Sequence, residues 1–133
     1  MAYMNQEKKA KIAAALKVAT AGTGLKYSLS VRNHMSIDLT IKSGPIDFIG
    51  DYNETTRNMS GYRQITDPEM SINQYWYQEH FSPKVKSIVE KIVNAMKAAD
   101  YFDDSDAQTD YFNTAYFMNI NVGRWNKPYV LIK

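Results

Sequence analysis

The sequence predicts an α+β fold in two layers, with an antiparallel sheet of three to five strands and two amphipathic helices packed on it. The clearest observation is a pair of runs, residues 26–32 and 35–42, in which apolar and polar residues alternate strictly. A period of two indicates strands with one buried and one solvated face, so the two runs predict an antiparallel hairpin. The other observation is an apolar stripe over residues 85–96, where the spacing is that of a helix. The predicted order is α-β-β-β-α-β, in a single domain of residues 1–133.

The first predicted element is a helix over about residues 6–19, which precedes the hairpin. Asn5 is its predicted N-cap, because a short polar side chain can accept from the free N–H groups of the first turn. Glu7 lies in that turn, where a negative charge is favourable. The helix is expected to end at residues 20–24, which contain two glycines, and the two strands of the hairpin follow.

The middle of the chain is predicted to be irregular until a third strand begins. Residues 51–68 are polar, rich in turn-forming residues and without a regular period. Loops longer than about 12–15 residues are uncommon in compact domains, so this segment is expected to be either functional or mobile. Residues 71–81 are dense in aromatic side chains and are interpreted as the third strand.

A second helix and a last strand complete the predicted fold. Ser82 and Pro83 indicate a helix start, because a hydroxyl at the N-cap and a proline at the first helical position are both favoured. The helix stripe that we expect to pack on the hairpin consists of Val85, Ile88, Val89, Ile92, Val93 and Met96. The last strand, about residues 114–122, has two possible registers. The positions that share a face are Tyr116, Met118 and Ile120 in one, and Phe117, Asn119 and Asn121 in the other.

The composition excludes several classes of protein and site. The chain has no cysteine, so disulfides, thiolate catalysis and cysteine-based zinc sites are excluded. No apolar run approaches the roughly 18 residues that a membrane-spanning helix needs, and the first residues lack the apolar core of a signal peptide. We therefore expect no membrane contact and residence in the cytoplasm.

Charge is distributed unevenly along the chain, although the net charge is only +2. Residues 1–42 carry a net charge of +5, and residues 43–81 carry a net charge of −4. Lysines on a helix usually form a solvated face, but they can also form a basic patch that meets an anionic partner. The sequence leaves both interpretations open.

Motifs of catalysis, cofactor binding and metal binding are missing from the sequence. It has no G-x-S-x-G, P-loop, dinucleotide-binding or H-E-x-x-H motif. The acidic run within residues 103–110 is interpreted as a solvated loop, since it lacks the ligand order of a calcium-binding EF-hand. His34 and His80 lack the close spacing of a metal-binding pair. We predict no catalytic residue, no cofactor and no metal, and favour a non-enzymatic function over an enzyme of unfamiliar type.

Six residues are candidates for contact with a partner. Tryptophan and arginine dominate binding hot spots because they combine apolar area with directional hydrogen bonds. The hairpin tip offers guanidinium and imidazole donors to an anion, although its residues also suit a tight turn. The aromatic residues of the third strand either pack in the core or stack on single-stranded bases, and a core position is equally open to Trp125. The candidates are Arg32, Asn33, His34, Trp76, Arg124 and Trp125.

Several stretches of the sequence resemble proteins of phages and other mobile elements. They read MNQEKKAKIA near the start, SLSVRNH, QYWYQEHF, SDAQTDYF and NVGRWNKPY. Together they are similar to a group of small uncharacterised proteins of phages, plasmids and bacterial genomes, over nearly the whole chain. The helix and hairpin also resemble large polyvalent-protein-associated domain 29, through the SVR…GP arrangement. The resemblance implies a mobile-element accessory protein that acts on host defence or on invading DNA.

The leading hypothesis is a small non-enzymatic inhibitor that binds a host protein or nucleoprotein complex in the host cytoplasm. A small domain that inhibits by covering a surface needs no catalytic residues. Mimicry of DNA is not favoured, because such inhibitors are usually strongly acidic and this chain has a net charge of +2. The alternative hypothesis is an accessory protein that binds single-stranded nucleic acid directly.

Overall fold

The fold combines helices with one open sheet. The computed structural model describes residues 4–62, 64–66, 69–72, 77–99, 116–124 and 127–132. Within these residues the helices are α1 (Gln6–Ala19), α2 (Phe48–Thr56) and α3 (Pro83–Met96), with a 3-10 helix at Tyr77–Glu79. The strands are β1 (Lys26–Arg32), β2 (Ser36–Gly44), β3 (Met70–Ile72), β4 (Phe117–Val122) and β5 (Val130–Leu131). The predicted α+β class is confirmed.

The described strands form a five-stranded sheet in the order β1-β2-β4-β3, with β5 alongside the end of β2. β1 and β2 form the predicted antiparallel hairpin, in which Leu29 lies opposite Leu39. β2 and β4, however, run parallel, and so do β2 and β5. The prediction of an antiparallel sheet is therefore wrong at the centre of the sheet. Strand alternation does not specify direction, and the long connection from β2 to β4 through α2 and α3 permits a parallel pair.

The segment 51–68, predicted to be a loop, begins inside a helix. α2 starts after Asp47, whose carboxylate accepts from the Gly50 N–H at 2.9 Å. A Cβ atom at Gly50 would collide with this carboxylate, so the capping contact needs a glycine. Most residues of α2 are poor helix formers, and for this reason the local pattern did not predict it. Capping by Asp47 and burial of Phe48 stabilise the helix instead.

The predicted strand over residues 71–81 is also wrong over most of the part that the structure describes. β3 ends at Ile72, and the chain forms the 3-10 helix at Tyr77–Glu79, while residues 73–76 lie outside the described residues. Tyr77 and Phe81 are buried. Both aromatic side chains reach the core from this tight turn, so their burial does not require a strand.

The starts of α1 and α3 agree with the sequence prediction. Asn5 caps α1, because its side-chain oxygen accepts from the Lys8 N–H at 2.8 Å. α3 begins at Pro83, although the Ser82 hydroxyl makes no capping hydrogen bond. The Ser82 N–H instead donates to the Asp51 carboxylate at 2.8 Å, which ties the start of α3 to α2.

One continuous core lies between the helices and one face of the sheet. The parallel register places Ile37, Leu39 and Ile41 of β2 beside the apolar residues of β4. In α3 the buried residues of the stripe are Val85, Val89, Ile92, Val93 and Met96, and Ile88 is half-buried. The apolar sides of the hairpin and of α3 therefore belong to one core. That α3 packs directly on the hairpin stays a prediction. Among the described residues, none of the helices has the length and apolar character to cross a membrane.

Candidate functional site

The face of the sheet opposite the core carries polar side chains in rows that run across the strands, and we call it the polar face. Residues paired across neighbouring strands share a face of a sheet, so the register defines these rows. The first row is Arg32, Ser36 and Phe117, the second is Ser30, Asp38 and Asn119, and the third is Ser28, Thr40, Asn121 and Ser71.

Asp38 is the centre of a polar network on this face. One carboxylate oxygen accepts from Asn119 Nδ2 at 2.7 Å, and the other lies 3.3 Å from Arg32 Nε. The Asp38 side chain is only 12% exposed, whereas the Arg32 side chain is 69% exposed. A buried carboxylate therefore holds an exposed guanidinium, which keeps most of its N–H donors available to a partner.

An open groove of about 650 Å³ lies on the polar face. Its walls include Ser30, Arg32, Asp38, Thr40, Ser71 and Asn121. Beyond the strands, Arg124 follows the end of β4 and Glu69 precedes β3, and both also line the groove. Two guanidinium groups, hydroxyls and an amide are thus available in one concave surface for hydrogen bonds to a bound partner.

The structure brings two of the predicted partner-contact residues together. Arg32 and Arg124, which lie far apart in the sequence, line the same groove. Both side chains belong to exposed residues. The other two large side chains of the prediction, Trp76 and Trp125, lie outside the described residues.

Asn33 and His34 form the hairpin turn. Their φ angles are 53° and 56°, and the Met35 N–H donates to the Arg32 carbonyl at 3.1 Å. Positive φ at two successive residues is typical of a type I′ turn, and asparagine and histidine tolerate this backbone better than most residues. The His34 carbonyl also accepts from the Met4 N–H at 2.7 Å, so the turn contacts the residue that precedes the N-cap of α1. These contacts support the interpretation that the residues of the hairpin tip are suited to forming a tight turn.

Phe117 is a residue of the polar face that the sequence analysis did not select. It lies opposite Ser36, which lies opposite Arg32, and it is 45% exposed. β4 uses the register that buries Met118 and Ile120, so Phe117 projects from the other side. The sequence did contain a signal for this exposure, because one of the two registers considered for the strand places Phe117 on the same face as Asn119 and Asn121.

A second cavity, of about 440 Å³, lies between α2 and β3. We call it the tyrosine–histidine cavity, and it is lined by Tyr52, Gln64, Ile65, Thr66, Glu69, Met70, Ser71 and His80. The His80 ring packs edge-to-face against the rings of Tyr52 and Tyr62, with centroids 5.3 and 5.2 Å apart. Burial lowers the pKa of His80 and raises the pKa of Tyr52, which favours the neutral form of both side chains.

Glu69 lies at the boundary between the two cavities and lines both of them. Its Oε2 atom is inaccessible to water and has no hydrogen-bond partner. Buried polar atoms are nearly always paired, because an unpaired one loses its hydration without compensation. No sequence pattern singled out Glu69, since its environment is made by residues of α2 and β4 that are distant in the chain.

The described residues contain no group of three His, Cys, Asp or Glu side chains that is placed to hold a metal ion. The acidic run within residues 103–110 lies outside them. His80 packs among tyrosine rings, and His34 lies on the hairpin turn.

Comparisons of the chain with protein-family models, curated proteins and solved structures find no match.

Proposed function

We propose that this protein is a non-enzymatic binding protein that presents its polar face to a host protein or nucleoprotein complex. In this proposal it is an accessory of a phage or other mobile element, works in the host cytoplasm and inhibits a defence system by covering a surface. The observation that carries the binding role is the shared groove of Arg32 and Arg124. The mobile-element context rests on the sequence resemblance.

The geometry of the polar face suits binding because one of its arginines is already held in place. Arg32 is fixed by the buried Asp38, which Asn119 holds from the other side. A positioned guanidinium loses less side-chain freedom when it binds, and arginine is among the residues that contribute most to binding energy. The groove can therefore contribute affinity without any change in the sheet.

The test compares two double variants of the full chain in partner capture. Arg32→Ala with Arg124→Ala removes the guanidinium groups of the groove. Lys17→Ala with Lys91→Ala is the matched control, because it removes two exposed cations from α1 and α3. The lysine control should fold normally, as surface substitutions usually change the free energy of unfolding by no more than about 0.5 kcal/mol. The arginine variant leaves the buried Asp38 carboxylate without its cation, so we expect it to be less stable by about 1–3 kcal/mol but still folded.

We expect the tagged wild type and the lysine control to capture the same host proteins from lysate, and the arginine variant to lose them. Bound proteins are compared by quantitative mass spectrometry, with thermal denaturation as the check on folding. Equal capture by a normally folded arginine variant would reject the polar face as the binding surface.

A second candidate function, direct binding of single-stranded nucleic acid, is favoured by one observation. Exposed Phe117 lies in the same cross-strand row as exposed Arg32. Bases stack on aromatic side chains of a sheet while cations meet the phosphates, and each stacked base contributes about 1–3 kcal/mol.

The second candidate is tested by fluorescence anisotropy with labelled single-stranded oligonucleotides. Direct binding predicts an affinity that falls steeply between about 50 and 200 mM salt, because phosphate contacts release counterions. Phe117→Ala should weaken it, while the control Met59→Ala, which shortens another exposed apolar side chain, should not. Absence of binding at low salt would leave the protein partner as the remaining candidate.

A further inference from the structure

The two ends of the sheet differ in length. β3 forms one end and has three residues, whereas β1 forms the other end and has seven. Among the described strands, β1 pairs only with β2, and within the same part of the chain no other hydrogen bond reaches residues 27–31. In an antiparallel pair every second residue directs its backbone N–H and C=O away from the neighbouring strand. The outer edge of β1 therefore has free donors and acceptors along its length.

The middle of β1 lacks the features with which proteins protect an open edge. Charged side chains, prolines and bulges are the usual protection, because an open edge pairs readily with other chains. In β1 the register shift lies at Lys26, and the charged residues are Lys26 and Arg32 at the two ends. The residues between them read YSLSV, and none of them is buried. A regular stretch of strand is therefore accessible to a further strand.

β1 also has apolar surface beside this open edge. Tyr27, Leu29 and Val31 pack against the core but are only half-buried. The residues opposite them in β2 are almost completely buried, because β2 has a neighbouring strand on each side. A strand added to β1 would cover the remaining apolar area with its own side chains on that face.

The charges around the edge favour an acidic partner. Lys26 is exposed, and the Arg32 side chain remains 69% exposed although Asp38 contacts its Nε. α1 contacts β1 and adds the exposed Lys11 and Lys17. The potential near this edge is therefore positive, and it attracts a negatively charged segment.

A second copy of the chain fits this edge poorly. Two β1 strands that pair antiparallel about Leu29 would place Lys26 of each copy opposite Arg32 of the other. Like charges in directly opposite positions destabilise a strand pair. A strand with acidic residues opposite these two cations avoids this repulsion.

We propose that the outer edge of β1 binds an extended, acidic segment of a protein partner, which adds to the sheet as a further strand. Backbone hydrogen bonds to β1 hold the segment, and its alternate side chains pack on the half-buried apolar residues of β1. Its acidic residues lie opposite Lys26 and Arg32. This edge is distinct from the groove of the polar face, and the segment need not belong to the partner that the groove binds.

The test titrates a blocked peptide, acetyl-Glu-Val-Thr-Val-Thr-Val-Glu-amide, into the full chain. The peptide reads the same in both directions, so its glutamates meet Lys26 and Arg32 whether it binds parallel or antiparallel. Its valines then share the face of Leu29. Affinity is measured by fluorescence anisotropy of the labelled peptide, and the contact is located by NMR hydrogen exchange of the backbone amides. We expect saturable binding and slower exchange at every second amide of β1.

Two N-methylated peptides test the strand pairing itself. Methylation of both threonine nitrogens and methylation of the two outer valine nitrogens remove donors from opposite edges of the peptide strand. Only the set that faces β1 should weaken binding, by about tenfold or more, because the other set faces solvent. A peptide with lysines in place of both glutamates should also bind at least about tenfold more weakly, since like charges would then lie opposite each other.

Lys26→Glu tests the charge at one end of the edge. It should weaken binding of the glutamate peptide about fivefold or more. Lys91→Glu in α3 is the matched control, because it makes the same change in net charge at another exposed position and should have little effect. Arg124→Ala should bind the peptide like the wild type, which separates the edge of β1 from the groove of the polar face.

Four results would overturn the proposal. The first is absence of binding at about 1 mM glutamate peptide. The second is equal affinity for the glutamate and lysine peptides, and the third is an equal effect of the two N-methylated sets. The fourth is slower exchange of the same β1 amides when the protein is concentrated without peptide, because a second copy would then occupy the edge.

Discussion

Asp38 illustrates how a single polar residue acquires a role from its neighbours across the sheet. Strand alternation predicts a solvated side chain at this position, and the register does place it on the polar face. Its burial to 9% exposure, however, depends on neighbouring strands and on Asn119, which comes from the far end of the chain. A local pattern can predict the direction of the side chain but not the partners that it finds there.

Replacement of Asp38 by alanine should destabilise the fold. Asn119 would lose its acceptor and Arg32 its carboxylate, so we expect a decrease of about 1–3 kcal/mol in the free energy of unfolding. Urea denaturation measures this change. Glu54→Ala is the control, because it breaks an exposed ion pair with Arg57 and should cost no more than about 1 kcal/mol. Equal effects of the two substitutions would contradict a structural role for the Asp38 network.

Tyr129 gives the protein a dependence on alkaline pH. Burial raises the pKa of Tyr129 to about 12, and its hydroxyl donates to the Ile46 carbonyl at 2.6 Å. Between the ordinary pKa of 10.0 and this value, the folded chain keeps a proton that the unfolded chain releases. The contribution of Tyr129 to stability is therefore complete below about pH 10 and decreases as the pH rises towards 12.

Tyr129→Phe should reduce this dependence, because phenylalanine does not titrate. The variant is expected to be less stable at about pH 9, where it lacks the hydrogen bond, but to lose less stability than the wild type between about pH 9 and 11.5. The midpoints of urea denaturation at the two pH values provide the comparison. The remaining tyrosines titrate in both proteins, so an identical decrease would show that Tyr129 is not the responsible group.

Among the elements, α3 was predictable from local patterns, whereas α2 was not. α3 has an apolar side with helical spacing and a proline at its start, and both signals lie within its own residues. α2 depends on the Asp47–Gly50 contact and on the packing of the Phe48 ring against Phe81 and Tyr129, with centroids 6.4 and 5.8 Å away. These ring contacts are tertiary, so no window of the sequence around α2 contains them.

Ile92 of α3 tests the importance of this helix for the core. The side chain is only 1% exposed, so Ile92→Ala should lower the free energy of unfolding by about 2–5 kcal/mol through lost burial and a cavity. Val18→Ala in α1 is the control, because that residue is 78% exposed and its shortening should change little. A denaturation midpoint that is unchanged in Ile92→Ala would contradict the burial of this side chain in the core.

In the molecule as a whole, local patterns predicted the layers but not the connections between strands. The hairpin and the α3 stripe were enough to predict an α+β core, because each must bury its apolar side. The parallel pairing of β2 with β4 was not predictable, since the sequence of neither strand indicates which strand it pairs with or in which direction. For the same reason Arg32 and Arg124 were selected one by one, and their shared groove and Glu69 emerged only from the assembled sheet.

The central position of β2 determines when this chain can fold during its synthesis. Its neighbour β4, residues Phe117–Val122, is made only after α2, β3 and α3. A ribosome that adds about 5–20 residues per second needs about 4–15 s to travel from the end of β2 to the start of β4. Throughout that interval the nascent chain has an unpaired strand edge, to which a neighbouring nascent chain can add. When many ribosomes translate the same mRNA, the strand exposed to aggregation is therefore β2, which becomes the centre of the folded sheet and not one of its edges.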